Sequence, residues 1–190
     1  MFLWSVESAV SSPTANLWGV QNVQKIRLAV SKTQFVKYAN RCLWAYDVAL
    51  GVFLKHLIDA AEASGQSEAA WLSSAVPAWR RVACISDFTL MLDENWSATE
   101  RETFVVLAET ACTRLATRES FTADEIAGWP LLEDLRIFPR GAKEVHTAPV
   151  VELGRAIIAL VSGELPEEPK GETWLYGTPT GRCTLRTLNR

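Results

Sequence analysis

Histidine is nearly absent from this chain: His56 and His146 are the only two in 190 residues. A zinc centre or a His-based triad needs more imidazoles or acids at close spacing. The positions four residues from each His are Val52, Ala60, Ala142 and Val150, none of them a ligand. Both are read as structural or solvated. Cysteine is sparse as well, and Cys42, Cys84, Cys112 and Cys183 form neither a CxxC pair nor a Cys/His ligand spacing. That excludes a zinc ribbon or a thioredoxin-type dithiol, and it points to a reducing cytoplasm. No metal or cofactor is expected.

Long apolar runs are missing too. The longest, residues 42–54, includes Asp47 and is too short to cross a bilayer. The first ten residues have no basic start and place Glu7 where an apolar leader core would run, so neither export nor membrane attachment is expected. The Asn95-Trp96-Ser97 acceptor triplet then carries no meaning. Internal repeats, low-complexity tracts and blocks of like charge are also lacking. Gly177 and Gly181 bracket a turn that lacks the Lys-Ser/Thr ending and following helix of a phosphate-binding loop.

What remains is an ordinary globular composition, 48% hydrophobic and 22% charged, in a length that suits one domain. The expected division is an N-terminal arm (1–19), a helical body (20–163), and a connector with a terminal hairpin (164–190). Net charge is −3 but unevenly placed. Between residues 93 and 134 stand Asp93, Glu94, Glu100, Glu102, Glu109, Glu119, Asp124, Glu125, Glu133 and Asp134 against Arg101, Arg114 and Arg118. Such a field favours a basic partner, and with no clustered Lys and Arg elsewhere nucleic acid is not expected as one.

Periodicity predicts a mainly α fold. Val20, Val23, Ile26 and Val30 keep helical spacing while Lys25 to Leu28 alternate as a strand would, and helix is favoured there. The span 34–63, apolar around most of its circumference, reads as the central helix of a multi-helix bundle, ended by Gly65. Ser67 is positioned to cap a helix through Trp71, and Pro77 to kink it or open another. Ser97-Ala98-Thr99-Glu100 and Thr122-Ala123-Asp124-Glu125 are capping boxes. Between them runs an amphipathic helix with Phe104, Leu107, Ala108, Ala111 and Leu115 on one arc. Thr147 and Pro149 open a last apolar helix that Gly163 stops. Trp174-Leu175-Tyr176 and Cys183-Thr184-Leu185 read as a C-terminal β-hairpin.

Three functional readings follow. The first is a non-enzymatic cytoplasmic protein of bacterial type that binds a basic protein, on the pattern of an immunity protein neutralising a toxin. Its partner-binding surface would comprise Trp96, Glu102, Val106, Glu109, Thr113, Asp124, Glu125, Trp129, Glu133 and Asp134, with the two Trp as loop anchors. The plain alternative for Glu102 and Glu109 is a solvated polar face. The second is an enzyme or small-ligand protein with a Trp-lined pocket around Asp47, unless that acid pairs with Arg41, Arg80 or Arg81. The third is a homo-oligomer joined through Trp174 to Tyr176.

Overall fold

A computed structural model describes residues 33–65, 69–85 and 88–186. The expected helix at 20–30, the N-terminal arm and the Ser67 cap lie outside these residues. The chain opens with strands β1 (Thr33–Tyr38) and β2 (Arg41–Tyr46), followed by helices α1 (Asp47–Ala63) and α2 (Ala70–Cys84). Strand β3 (Leu90–Leu92), helix α3 (Ala98–Ala116), strand β4 (Ser120–Thr122) and short helix α4 (Ala123–Ala127) come next. The order ends with β5 (Glu144–His146), α5 (Thr147–Ser162), β6 (Glu172–Thr178) and β7 (Gly181–Arg186).

The expected mainly α bundle is therefore wrong: the fold is mixed α/β, with a five-stranded sheet in the order β3-β1-β2-β6-β7 and a two-stranded sheet of β4 and β5. β1–β2 and β6–β7 are antiparallel, whereas β1–β3 and β2–β6 are parallel. The misread stretch is 34–46. Val36 faces Leu43 across the first hairpin and Gln34 faces Ala45, all four buried, while Phe35 stacks on Trp44 on the other side with ring centroids 3.5 Å apart. Apolar residues on both faces of a strand pair mimic a helix that is apolar all round. The turn that should have separated the strands is Ala39-Asn40, with Ala39 at φ 51° and no Gly or Pro to mark it.

The helix proper starts at Asp47, and α1 becomes the hub, packing on α2, α3 and α5. α3 and α5 run antiparallel, since Ala98 to Val106 border Val161 and Ser162 at one end while Cys112 meets Val151 and Gly154 further on. Gly154 permits that crossing: a Cβ there would fall 2.6 Å from Cys112 Sγ and from the Phe53 ring. Gly177 lets β6 pass α1, because its φ is 74° and a Cβ there would fall 2.6 Å from the Ala49 Cβ. Pro77 sits inside a continuous α2.

Both capping boxes form, and the expected hairpin forms as β6–β7. β6, however, is an internal strand between β2 and β7, and Leu175 and Tyr176 are buried within the monomer. Of the three residues expected to join two copies, Leu175 and Tyr176 are thus packed within the fold, while Trp174 is half-buried. Among the described residues no helix is long and apolar enough to cross a membrane.

Candidate functional site

The ten expected partner-binding residues separate into three surface places and one interior position. Trp96 is the interior one. It is 8% exposed and packs among Trp71, Phe104 and Tyr38, with centroid distances of 5.3, 5.1 and 6.3 Å. An anchor for a partner it is not. This aromatic cluster instead ties the start of α3 to α2 and β1.

On α3 the Ser97 hydroxyl accepts the Glu100 N–H and the Glu100 carboxylate accepts the Ser97 N–H, which fixes where the helix begins. From that start, Glu102, Val106, Glu109 and Thr113 fall within about 60° of one another at 100° per residue, a single stripe up the outer face. All four are exposed, Val106 at 59%. The buried arc opposite carries Phe104, Leu107, Ala108, Ala111, Cys112 and Leu115. Arg101 and Arg114 stand off to either side of the stripe by the same helical count. Along its flank lies a groove of about 580 Å³ between α3 and the end of α5, lined by Arg101, Glu102, Val105, Val106, Val161 and Ser162. That volume and its apolar walls fall within the range of sites that take a side chain or a small ligand.

The second place surrounds α4. Glu125 is committed to internal bonds: its carboxylate accepts the Thr122 N–H at 2.9 Å and pairs with Arg118 at 2.9 Å. The Thr122 amide, followed by the Arg118 guanidinium, holds this carboxyl below its usual range. Asp124 is exposed beside it. Trp129 is half-buried, packed on Phe121 at 5.1 Å and His56 at 5.6 Å with the Lys55 ammonium 5.8 Å from its ring. Glu133 and Asp134 form the third place, an exposed turn in which Glu133 has φ 46°. α3 alone is roughly 28 Å long at 1.5 Å per residue, so the acidic segment is strung along that helix, the short helix α4 and a turn beyond it.

Asp47 is the first residue of α1, 8% exposed, and its salt bridge is with Arg140 at 2.8 Å, an arginine not among those expected. Its Oδ1 accepts the Val48 N–H at 2.8 Å. A Trp does line one cavity of about 340 Å³, where Trp174 and Tyr176 meet Glu167 and Glu168, but Asp47 is not there. Glu168 in that cavity accepts the Trp174 N–H. Of the cysteines, Cys112 is buried and its thiol is pushed up to about 11, chiefly by desolvation, which makes it a poor nucleophile. Among the described residues no cluster of His, Cys, Asp or Glu could hold a metal ion.

No protein-family model, no curated protein and no solved structure matches this chain. The immunity-protein expectation gains no support from them, and the functional argument rests on geometry and charge.

Proposed function

We propose that the protein acts by binding a basic protein partner along the outer stripe of α3. The observation that carries this reading is Val106, held 59% exposed between Glu102 and Glu109 and beside an apolar groove. A branched apolar side chain between two acids offers a hydrophobic contact surrounded by charges that steer a cation toward it. The spacing from Glu102 through Val106 and Glu109 to Thr113 is that of a helix seam, so the fitting partner element is a helix with Lys or Arg flanking a small apolar residue. The remaining acids, on α4 and on the 132–135 turn, add long-range attraction without forming part of the same contact.

The test is affinity purification of the tagged protein from its native host at low and high salt, beside two variants. Reversal of both Glu102→Lys and Glu109→Lys is expected to weaken the captured basic partner by about tenfold or more, roughly 1.4 kcal/mol, and to flatten its salt dependence. Glu167→Lys, in the exposed connector after α5, is expected to leave it unchanged. A double-reversal variant that is folded and retains the same partner with the same salt dependence would remove the stripe from the reading.

A further inference from the structure

The groove beside the α3 stripe is one end of a longer seam between two antiparallel helices. Glu102 and Glu109 stand seven residues apart on α3, and Arg155 and Ser162 stand seven apart on α5, so each pair shares one helix face over about 10 Å. Glu102 and Ser162 line the groove together. At the other end of the seam is Cys112, whose Sγ lies 3.9 Å from the Val151 carbonyl, one turn before Arg155. Beyond the burial that dominates its raised pKa, this thiol is pulled down by Arg155 and pushed up by Glu109. Arg155 and Glu109 therefore flank the seam at the same level.

Four exposed charged side chains border this seam, Arg101, Glu102, Glu109 and Arg155. Among the described residues none of the four is held in an ion pair. They are sorted by side. By helical count Arg101 is turned from the stripe toward α5, on the side of Val105 and Cys112, and Arg155 stands on α5 itself; Glu102 and Glu109 lie on the outward side. Val105 and Ile158, both half-buried, and the buried Val161 make an apolar floor, with Val106 exposed beside it. A helix laid in the seam thus meets arginines along one flank and glutamates along the other. A uniformly basic helix would set like charge against Arg101 and Arg155, which costs about as much as an opposite pair gains.

We propose that the α3–α5 seam binds a partner helix whose two flanks carry opposite charge, with bases over Glu102 and Glu109, acids over Arg101 and Arg155, and small apolar residues on the floor. This rests on the α3 stripe being a docking surface, and adds to it a second wall and an acidic flank of the partner. Turning such a helix end for end would exchange its flanks, so the same charges fix the direction in which it lies. Arg101 and Arg155 are then specificity-determining residues that reject a helix basic on both sides.

The experiment titrates the full chain with two synthetic helical peptides of three heptads, each with Val at the central a position and Ala at the other a and d positions. One carries Lys at every e and Glu at every g; the other carries Lys at both. On the wild type the mixed peptide is expected to bind about threefold to fivefold tighter, and on the protein with both Arg101→Glu and Arg155→Glu the order is expected to reverse. Arg101→Gln with Arg155→Gln, which removes the charges without adding acids, should abolish the advantage of the mixed peptide. Steering by the acidic stripe alone gives the opposite order on the wild type, because the all-Lys peptide carries the larger positive charge. Equal or tighter binding of the all-Lys peptide to the wild type therefore overturns the two-sided seam, and the stripe itself stands if that binding is lost on Glu102→Lys with Glu109→Lys. Saturation by neither peptide overturns the seam as a helix site, whether or not a native partner is captured through Glu102 and Glu109.

Discussion

Helices α1 and α3 are nearly equal in length, 17 and 19 residues, yet α1 buries twelve of its residues and α3 six. They also differ in how they begin. α1 follows Tyr46 without any side-chain cap, whereas α3 has both halves of a capping box. The difference is physical economy. A helix enclosed by three others and the sheet is held by burial and requires little from its own ends. A helix with one face in water gains stability from local hydrogen bonds and keeps its outer face for other uses. Binding chemistry in this molecule is accordingly sought on α3, and α1 is its scaffold.

Truncation at matched positions tests that contrast most strongly. Phe53, on α1 and fully buried, touches the α5 crossing at Gly154. Phe53→Ala should cost about 3–5 kcal/mol by loss of transfer energy and creation of a cavity. Val106→Ala on the exposed stripe should stay within about 0.5 kcal/mol. Urea unfolding of both variants decides the matter, and comparable losses would mean that Val106 belongs to the core and has no surface for a partner.

A smaller effect separates the two helix starts. Ser97→Ala removes the acceptor of the Glu100 N–H and leaves the Glu100 carboxylate bonded to the Ser97 amide only from one side. The expected loss is about 1 kcal/mol, with faster amide exchange confined to the first turn of α3. The Tyr46 side chain makes no such bond, so its replacement should act through packing and leave the Val48 amide on the Asp47 carboxylate. Uniform loss of protection along α3 would show that its start is held by the aromatic cluster around Trp96 rather than by the cap.

The same contrast explains what was legible in the sequence. Ser97 with Glu100, Thr122 with Glu125, and Gly163 at φ 77° after α5 are local devices, and each stands where the residues alone place it. The stripe on α3 was legible for the same reason, because 3.6-residue periodicity needs no knowledge of neighbours. The hairpin at 33–46 was not. Its strands are defined by partners such as Val36 and Leu43 and by a turn at Ala39-Asn40 that no Gly or Pro announces. Three-residue strands such as Leu90–Leu92 and Ser120–Thr122 are too short to show any alternation. Trp96 was read as an anchor because its burial comes from Trp71, Phe104 and Tyr38, which belong to three other stretches of chain.

The mildest probe of the contrast is pH, through the one place where α1 presents a titratable ring to other elements. His56 packs against Phe121 at 5.2 Å and Trp129 at 5.6 Å, and its Nδ1 lies 2.9 Å from the Val52 carbonyl. Burial lowers its pKa, opposed by that carbonyl and by Asp59, while Lys55 and Arg114 push in the same direction as burial. Above about pH 6.5 the ring is neutral in both folded and unfolded chains and contributes no pH dependence. As pH falls below that value the unfolded chain takes up the proton first, so stability declines until the pH passes the lower folded value. The Tm of the wild type should therefore drop between about pH 7 and 5 by more than that of His56→Phe, which keeps a ring against Trp129 without a titrating group. Glu125, with its lowered pKa, adds acid sensitivity only at lower pH, near the carboxylate range. Parallel Tm profiles for the two proteins across that window would show that the imidazole is solvated in the folded state and that the enclosed character of α1 stops short of this turn.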